Sequence, residues 1–369
     1  MKGNGVCSAV LALKSRLLEE GMNVRILACE NADPNGGQPD YPLRHWPFPI
    51  FEPIVVKNGF RYPEVDKVII EKAIQWADLV HIMEGFPLSI AAVKIAKKLG
   101  KPCVASYHIL THNITYNLGI KFDTFINKLI NKWWSSAVYN QCKFVHCPTE
   151  TVKTHLIENG YTAPMKVITN GIELAEKVPA SDDLYKKPYN ILSVGRLSYE
   201  KDPFTLLNAM KYSKYAADIQ LHFAGNGPKA DAVKKLARKY VKNGILKHEP
   251  SFGFYTLPEL QQLAASSYLY IHCACVEVEG LSCIEAIQQG TVPIIATSKL
   301  SATAQFALDE RSLFPATDAI ALAKRIDWWI EHPEERQKMS KLYTESAQKY
   351  NAKESTLQII QMYEEALQN

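Results

Sequence analysis

Short apolar runs alternate with longer amphipathic stretches along the whole chain. In the first half, strands are predicted over NVRILACE, LVHIMEG, PCVASYH and KFVHCPT, and helices ending at a glycine over VCSAVLALKSRLLEEG and LSIAAVKIAKKLG. In the second half, strands are predicted over YNILSVGR, IQLHFAG, YLYIHCAC and VPIIAT, and helices over DPFTLLNAMKY, KADAVKKLARKYVKNG and SCIEAIQQG. Such alternation predicts parallel sheets with crossover helices, so the expected fold class is α/β.

The alternation occurs twice, which predicts two Rossmann-like parallel-sheet domains facing each other across a cleft. A length of 369 residues also suits two domains better than one. The polar stretch ELAEKVPASDDLYKKPYN after Asn170-Gly171 is the expected linker. We therefore expect an N-terminal domain over residues 1–172, a C-terminal domain over 173–350, and a last helix over 351–369 that packs back toward the first domain. Because open parallel sheets bind ligands beyond the carboxyl ends of their strands, the site is expected in the cleft.

Composition narrows the class of protein. The chain is 47% hydrophobic and 22% charged, as in soluble globular proteins, and its net charge of +4 argues against a general nucleic-acid binder. Eight cysteines are scattered without a CxxC pair, which is typical of reduced thiols in a cytoplasmic protein, and the spacing in CKFVHC does not suit zinc. No apolar run reaches the roughly 20 residues of a membrane span, and no signal peptide is recognisable. Any membrane contact is therefore expected to be peripheral.

Two glycine-rich turns resemble the dinucleotide-binding fingerprint. One is GNGVCS, which begins at Gly3, and the other is GNGPKA, which begins at Gly225. Only two residues precede Gly3, so the strand that the fingerprint requires is absent from the chain. The second turn has Pro228 just inside a helix start, which is ordinary at the beginning of a helix. A dinucleotide-dependent oxidoreductase is the weaker interpretation.

The stretch VEVEGLSCIEAIQQG, residues 276–290, places three carboxylates around Gly280 where a strand gives way to a helix. In one interpretation Ser282 and Glu285 form a capping box, and Glu277 and Glu279 are solvated loop charges. In the other, Glu277 at the strand end and Glu285 in the first helical turn face one ligand. Carboxylates accept hydrogen bonds from sugar and ribose hydroxyls, and the N–H groups of a helix start bind phosphate. The second interpretation predicts a nucleotide-sugar site.

The pair Glu277 and Glu285, followed by AIQQGTVPIIAT, resembles the E-x7-E signature of retaining glycosyltransferase family 4. Further matches occur in the family's order: SYH at 106–108, VITNGI at 167–172, SVGRLSYEKD at 193–202 and FAGNGP at 223–228. The resemblance implies the two-domain GT-B fold and an enzyme that transfers a hexose from a nucleotide sugar, with UDP-glucose favoured as the donor. It implies no metal or other cofactor, because two fixed cations would neutralise the departing diphosphate.

The same resemblance implies roles for single residues. Arg196 and Lys201 match the diphosphate-binding pair, Glu285 matches the residue that holds the ribose, and Glu277 matches the residue near the transferred sugar. His108 matches a histidine of the family's cleft, where it would position the reactants. Other implied donor-binding positions are Gly3, Gly5, Gly225, Gly280, Leu281 and Ser282. Glu279 stands where the family often has an aromatic residue, so its role is unassigned.

The alternatives to these roles are a strand-end arginine, a surface lysine and a histidine satisfied at a strand end. The absent first strand is the clearest departure from the family, and it is expected to reflect either a misplaced start site or a truncated, less stable domain. The competing function is therefore a weakly active module that binds a sugar nucleotide or a glycan. The presence of both cations and both carboxylates together favours the enzyme.

The stretch IKFDTFINKLINKWWSSAVY, residues 120–139, predicts an amphipathic helix. On a helical wheel three lysines fall on one line beside a broad apolar face; the lysines are Lys121, Lys128 and Lys132, and the face is Phe122, Phe125, Ile126, Leu129, Ile130, Trp133 and Trp134. Such a helix suits an anionic membrane surface. An equal alternative is a helix packed in the core, with the lysines as its wet edge.

The segment before this helix, SYHILTHNITYNLG, is similar to the acceptor-side loop of family members that glycosylate diacylglycerol. The similarity favours a lipid acceptor and a peripheral position on the inner face of the cell membrane. A polysaccharide or an undecaprenyl-linked intermediate is the competing acceptor.

Overall fold

The computed structural model describes residues 5–33, 37–47, 52–57, 59–117, 125–179 and 183–368, without the side chains of residues 54 and 57. The chain divides into two compact units. Unit 1 comprises Met1–Thr115, Phe122–Asn170 and Lys353–Asn369, and unit 2 comprises Tyr116–Lys121 and Gly171–Ala352. The chain thus leaves unit 1 after Asn170 and returns to it at Lys353.

Unit 1 is built on parallel strands. They are β1 (Leu27–Cys29), β2 (Tyr41–Leu43), β3 (Val80–Ile82), β4 (Cys103–Ser106), β5 (Phe144–Cys147) and β6 (Met165–Val167). β1 pairs with β2, and the other four form one sheet in the order β3-β4-β5-β6. The helices up to β6 are α1 (Gly5–Glu19), α2 (Glu52–Lys57), α3 (Lys67–Trp76), α4 (Pro87–Lys98), α5 (Thr111–Asn117), α6 (Phe125–Ala137) and α7 (Glu150–Glu158).

Local sequence explains where several of these helices begin. The Asp66 carboxylate accepts hydrogen bonds from the N–H groups of Val68 and Ile69 at the start of α3. Pro87 is the first residue of α4, where its fixed φ suits a helix and its missing N–H costs nothing. The Thr149 hydroxyl accepts the N–H of Val152 at the start of α7. These helices bury their apolar faces, so each crossover covers the sheet that it connects.

Unit 2 contains a larger parallel sheet. Its strands are β7 (Tyr189–Val194), β8 (Ile219–Ala224), β9 (Ser251–Gly253), β10 (Leu269–His272), β11 (Val276–Glu277), β12 (Val292–Thr297), β13 (Leu300–Ser301) and β14 (Leu313–Pro315). Six of them form one sheet in the order β14-β12-β10-β7-β8-β9, and β11 pairs with β13. The helices are α8 (Pro203–Ala209), α9 (Ala230–Lys242), α10 (Leu257–Ala265), α11 (Leu281–Gln288), α12 (Ala319–Glu331) and α13 (Pro333–Ala347).

The central strands of unit 2 are buried on both faces. All four residues of β10 and the first five of β12 are buried, as expected where helices cover both sides of a parallel sheet. Large side chains fill the layers beside the sheet, among them Phe223, Phe314, Trp329 and Tyr343, each at most 1% exposed. This packing fixes the carboxyl ends of β7 and β10, from which the candidate site is built.

The last helix, α14 (Ala352–Gln368), belongs to unit 1 from Lys353 onward. Its residues Ile359, Met362 and Tyr363 share a buried cluster with Val104 of β4 and with Leu17 of α1. The α/β fold class with two parallel sheets is confirmed, and each strand and helix predicted from the apolar pattern has an observed counterpart.

Candidate active site

The strand order of unit 2 has a switch point between β7 and β10. From β7 the chain builds one half of the sheet through β8 and β9, and from β10 it builds the other half through β12 and β14. Ligands of open α/β sheets bind beyond the carboxyl ends of the strands at such a point. Arg196 follows β7, His272 ends β10, and both line a surface pocket with an empty volume of about 280 Å³ together with Lys201. The two predicted cations therefore lie at the position that the topology favours for a ligand.

Arg196 is held by a buried carboxylate. Its Nη2 donates to Oε1 of Glu200, whose side chain is fully buried, whereas the Arg196 side chain is 20% exposed. The backbone carbonyl of Glu200 accepts the N–H of Cys275 at 2.8 Å, which ties this turn to the segment after β10. Oε2 of Glu200 is buried without a hydrogen-bond partner among the described residues. Glu200 therefore fixes the guanidinium at the pocket edge, a role that spacing alone did not predict.

Lys201 forms an ion pair with Glu277 across the pocket. Its Nζ donates to Oε2 of Glu277, and the other carboxylate oxygen accepts the N–H of Val278 at 3.2 Å. Burial alone would raise the pKa of Glu277, but the charge of Lys201 and the hydrogen bond from His272 outweigh it and hold the pKa well below its usual range. Glu277 is thus ionised, and it is not a solvated loop charge.

The capping box expected from Ser282 and Glu285 is not formed. The N-cap of α11 is Gly280 at φ +92°, and a Cβ there would lie 2.4 Å from Oγ1 of Thr303. The Ser282 hydroxyl instead lies 2.9 Å from the Tyr270 hydroxyl and 3.5 Å from the carbonyl of Val194. The helix start therefore has no side-chain cap, and its first N–H groups, those of Leu281 and Ser282, have no intrahelical partner.

Of the two other carboxylates of this stretch, Glu279 is buried and Glu285 is half-buried. Glu279 is 3% exposed, so the prediction of a solvated loop charge is wrong for it. Burial raises the pKa of Glu285, and nothing in the described part of the chain forms an ion pair with this carboxylate. Burial raises the pKa of Tyr270 too, with the nearby charges of Glu277 and Glu285 adding to the effect. The two glutamates of the E-x7-E pattern therefore lie near one buried tyrosine.

The glycine loops act in different ways. A Cβ on Gly225 would lie 2.1 Å from the carbonyl oxygen of Gly195, and the Gly225 N–H donates to the carbonyl of Gly253 at 2.8 Å. Gly225 therefore lets the turn that carries Arg196 pack closely against the turn after β8. Gly5 is the first described residue of α1, and a Cβ placed on it would meet no described atom within 4 Å apart from its chain neighbours and the backbone of its own helix. Gly3 lies outside the described residues.

In unit 1, His108 follows β4 by two residues. Burial, together with the neighbouring His146, lowers the pKa of His108 to about 3, so its imidazole is neutral at physiological pH. The ring centroids of the two histidines are 5.9 Å apart. A neutral imidazole at a strand end suits a positioning role better than a charged one, and that role stays a prediction.

A buried hydrogen-bond chain supports this part of unit 1. The His146 Nε2 donates to the carbonyl of Ile168 at 2.6 Å, so its Nδ1 must accept from the Ser106 hydroxyl at 2.7 Å. Ser106 in turn accepts from Nε2 of His81 at 2.7 Å, and Nδ1 of His81 accepts from the Tyr363 hydroxyl at 2.7 Å. Each donor thus meets one acceptor, and the chain joins three neighbouring strands to α14.

Glu84 is a half-buried acid that sequence reasoning missed. It follows β3 by two residues, and burial raises its pKa to about 7. The unfolded chain releases this proton near pH 4.5 and the folded protein only near 7. Glu84 therefore has no effect on the free energy of unfolding below about pH 4.5. Between about pH 4.5 and 7 the free energy of unfolding falls as the pH rises, and above about pH 7 the total loss is about 3 kcal/mol.

We expect Glu84→Gln to remove this loss. The variant should be more resistant to urea than the wild type at alkaline pH, and the difference should shrink toward zero as the pH falls to about 4.5. Urea unfolding of both proteins across this range measures it, with the exposed Glu64→Gln as the control. A stability difference that does not change with pH would show that Glu84 does not titrate in this window.

The predicted membrane helix differs from the helical-wheel interpretation. In α6 the polar residues Asn127, Asn131 and Ser135 are at most 6% exposed, whereas four apolar side chains lie on the surface: Phe125 (72% exposed), Ile126 (44%), Leu129 (50%) and Trp133 (47%). Asn131 has polar neighbours, since it accepts from Tyr161 at 3.1 Å and donates to Asn159 at 3.1 Å, whereas the amide of Asn127 is buried without a hydrogen-bond partner among the described residues. The helix therefore turns its polar face inward.

The assignment of Trp134 to a membrane-facing surface is wrong. Trp134 is 1% exposed and lies edge-on to Phe86 and Tyr107, with ring centroids 5.4 and 6.3 Å away. Lys128 and Lys132 are exposed beside the apolar residues, as the wheel predicted. Lys121 and Phe122 lie outside the described residues.

The described residues contain neither a cluster of metal ligands nor a helix that could span a membrane. No group of three or more histidine, cysteine, aspartate or glutamate side chains there could hold a metal ion. Within the same residues, every helix is too short or too polar to cross a membrane. All eight cysteines are free thiols.

Comparison with known proteins identifies two family regions. Residues 3–176 match the model of Glycosyltransferase Family 4, and residues 175–345 match that of Glycosyl transferases group 1. The alpha-monoglucosyldiacylglycerol synthase of Streptococcus pneumoniae is 26% identical over 308 residues, which are 79% of this chain and 68% of that protein. The sulfoquinovosyl transferase SQD2 of Arabidopsis thaliana is 23% identical over 86% of this chain, which spans 61% of that protein.

Solved structures agree on the fold. Sucrose-phosphate synthase of Thermosynechococcus elongatus has a TM-score of 0.74 at 17% identity, covering 98% of this chain and 93% of that one. Anabaena HepE, in complex with UDP, has a TM-score of 0.69 at 18% identity, covering 81% and 82%. At these identities the likeness concerns the fold alone. The chain therefore belongs to the glycosyltransferases of the GT-B fold, with a family 4 region in its first half and a group 1 region in its second.

Proposed function

We propose that the protein is a retaining glucosyltransferase that moves glucose from UDP-glucose to a membrane lipid, with diacylglycerol as the favoured acceptor. The observation that carries the proposal is the pocket at the ends of β7 and β10, which Arg196 and Lys201 line and beside which Glu277 is ionised. The relative from Streptococcus pneumoniae is named as a synthase of an α-glucosyl diacylglycerol, and HepE is also known in complex with UDP-glucose.

The pocket suits the diphosphate of such a donor. Two fixed cations at its edge would attract the phosphates and neutralise the charge that develops when the nucleoside diphosphate leaves. The uncapped start of α11 adds the N–H groups of Leu281 and Ser282, which favour an anion. Glu285 is half-buried and has no ion-pair partner in the described part of the chain, so its carboxylate is available to accept hydrogen bonds from ribose hydroxyls.

The chemistry follows from charges on both sides of the bond that breaks. As the bond between the anomeric carbon and the phosphate oxygen lengthens, positive charge grows on the sugar and negative charge on UDP. Glu277 would stabilise the sugar and Lys201 the leaving group, while the departing phosphate accepts the proton of the acceptor hydroxyl. Attack on the face that UDP leaves retains the α configuration, which agrees with the product named for the relative.

This mechanism assigns no step to a metal, because Arg196 and Lys201 would supply the positive charge that the leaving diphosphate needs. Activity is therefore expected to persist in EDTA. Loss of activity in EDTA that magnesium or manganese restores would contradict this part of the proposal.

The acceptor side rests on α6. Four large apolar side chains and the ammonium groups of Lys128 and Lys132 lie exposed on one helix, whereas Asn127, Asn131 and Ser135 of the same helix are buried. Apolar side chains that enter the acyl region, flanked by lysines near anionic headgroups, are typical of a helix that lies in a membrane interface. We propose that α6 holds the enzyme as a peripheral protein on the cytoplasmic face of the membrane, where a lipid acceptor lies.

Vesicle binding is expected to depend on these two lysines. Lys128→Glu with Lys132→Glu should weaken flotation with anionic vesicles by at least about tenfold, because each lysine near such a surface contributes about 1 kcal/mol and each glutamate adds repulsion. Lys94→Glu with Lys98→Glu is the matched control, since both lysines are exposed on α4 with the same spacing. Binding by wild-type protein should also fall with salt. Equal binding by the two double variants, or binding indifferent to lipid charge, would contradict the membrane role of α6.

The function itself is tested in two steps. A thermal-shift screen of uridine and guanosine diphosphate sugars should give its largest shift with UDP-glucose. Radiolabelled transfer to vesicles that contain diacylglycerol, a sterol, a glucosyl diacylglycerol or undecaprenyl phosphate then identifies the acceptor. Transfer to another member of this panel, or to a polysaccharide, would overturn the diacylglycerol proposal. Donor binding without transfer or hydrolysis would favour the sugar-nucleotide-binding module.

A further inference from the structure

A second buried hydrogen-bond chain, in unit 2, ends at the carboxylate of Glu277. His272 is the last residue of β10, is 4% exposed, and lines the donor pocket. Its Nδ1 lies 3.1 Å from the Tyr270 hydroxyl, which lies 2.9 Å from the Ser282 hydroxyl. Its Nε2 lies 3.5 Å from Oε2 of Glu277 and 3.2 Å from Oγ1 of Thr303. The imidazole therefore contacts Tyr270 of its own strand, Thr303 in the turn after β13 and the carboxylate that pairs with Lys201, and Tyr270 links it to the start of α11.

The direction of these hydrogen bonds follows from their partners. The Thr303 hydroxyl donates to the carbonyl of Glu279 at 3.3 Å, so it can only accept from His272. The carboxylate of Glu277 is ionised and also only accepts. The proton of the neutral imidazole therefore lies on Nε2, and Nδ1 accepts from Tyr270. Burial lowers the pKa of His272 although Glu277 opposes this shift, so the ring is neutral at physiological pH.

We infer that His272 is a positioning residue for the transfer reaction: it orients the Glu277 carboxylate toward Lys201 and the anomeric carbon, and Tyr270 sets its tautomer. This inference rests on the proposed function of the pocket. Oε1 of Glu277 accepts a backbone N–H and Oε2 meets both Nζ of Lys201 and Nε2 of His272, so both oxygens are fixed. Without the imidazole, the carboxylate would keep its charge and lose one of the contacts that hold Oε2.

Substitution of His272 should affect the orientation of the Glu277 carboxylate but not the binding of UDP. Loss of the Nε2–H should misplace the Glu277 carboxylate by a fraction of an ångström to about 1 Å, a displacement that costs on the order of 10- to 100-fold in rate. In the proposed complex the phosphates would meet Arg196 and Lys201. Both cations stay in place when His272 is substituted. We therefore expect kcat to fall while KM for UDP-glucose and Kd for UDP stay nearly constant.

The experiment compares three substitutions in the full chain. His272→Leu removes the contacts of both ring nitrogens, His272→Gln retains a donor near the position of Nε2, and Tyr270→Phe removes the hydroxyl that donates to Nδ1 and that also lies 2.9 Å from the Ser282 hydroxyl. The matched control is His222→Leu, in strand β8 of the same sheet, two strands away from β10, because His222 likewise has hydrogen bonds at both ring nitrogens, with Ser251 at 2.7 Å and Asn190 at 3.0 Å. Steady-state kinetics, UDP titration and a crystal structure of His272→Leu are the measurements.

His272→Leu should lose about 10- to 100-fold in kcat, His272→Gln should recover part of the loss, and adding Tyr270→Phe to His272→Leu should have no further effect. A wild-type kcat in His272→Leu, or an equal loss in His222→Leu, would overturn the inference. If wild-type protein transfers no sugar, the proposed function fails, yet the crystal structure still decides the geometry. A Glu277 carboxylate unmoved in His272→Leu would then refute the positioning role, and a displaced one would support it.

Discussion

Replacement of Lys201 with alanine is expected to lower kcat for sugar transfer by about 100- to 1,000-fold, the loss found when one preorganised charge-stabilising group is removed from a transition state. In the proposed mechanism Lys201 would meet the leaving diphosphate, and its ammonium group pairs with Glu277. Without it, two negative groups would face each other across the pocket as the reaction proceeds. Arg196→Ala should also lose more than about tenfold, and it leaves Glu200 as a buried, unpaired carboxylate.

Kinetics and folding are measured on the same preparations to separate charge from structure. The control is Lys299→Ala, in the loop after β12, where the lysine is exposed and has no ion-pair partner among the residues described. Lys201→Arg keeps the charge and should retain more activity than Lys201→Ala. Unchanged kcat in a folded Lys201→Ala protein would show that the ion pair is structural and that the diphosphate binds elsewhere.

Substitutions of the two glutamates of the E-x7-E pattern are expected to have different effects on kinetics and on UDP binding. Glu277→Gln should reduce kcat by about 100-fold or more with little change in Kd for UDP, because its negative charge would act mainly on the sugar in the transition state. Glu285→Gln should weaken UDP binding by roughly 1.5 to 3 kcal/mol, the usual cost of a lost hydrogen bond to a charged group. The opposite environments of the two carboxylates support this division, since the pKa of Glu277 is lowered and that of Glu285 is raised.

Titration with UDP by calorimetry and steady-state kinetics separate the two effects, with the exposed Glu249→Gln as the control. If both variants keep wild-type kinetics and affinity, the carboxylates have no part in donor use. If Glu285→Gln loses kcat alone and Glu277→Gln loses affinity alone, the two roles are exchanged.

The sequence pattern predicted the elements that position the site but not their contacts. Buried strands such as YLYIHCAC are recognisable from the sequence, because a parallel sheet covered on both faces requires continuous apolar runs. Strands of only three residues, such as β2 and β9, carry too short a pattern to be recognised. The expected capping box failed because a glycine in a left-handed conformation occupies the N-cap, and Gly280 was interpreted only as a turn.

The helical wheel of α6 placed Trp134 wrongly, and did not show the buried polar face, for a related reason. Hydrophobicity alone assigns its apolar face to the core or to a membrane, whereas Asn131 is buried because Tyr161 and Asn159 offer it hydrogen bonds from other elements. Such partners are distant in sequence, so no local pattern shows them. Trp134 then fills the space beside Phe86 while Trp133, one position along, stays exposed.

Glu200 and His272 were missed because their importance lies in long-range pairing. Glu200 stands inside the matched stretch SVGRLSYEKD, but spacing does not show that it is fully buried against Arg196. The one available signal for His272 was a histidine inside an otherwise apolar strand, which needs hydrogen-bond partners when buried. Only the fold brings Thr303 to that ring, and Ser282 to the Tyr270 hydroxyl that the ring contacts.

We propose that the protein transfers glucose from UDP-glucose to a membrane lipid with retention of the anomeric configuration. The most direct test of this proposal is proton NMR of the glycolipid formed by purified wild-type enzyme from UDP-glucose and diacylglycerol vesicles, because the coupling of the anomeric proton identifies the anomer. We expect an α-glucosyl diacylglycerol, formed equally well in EDTA. A β-linked product, or glucose transferred only to a water-soluble acceptor, would contradict it.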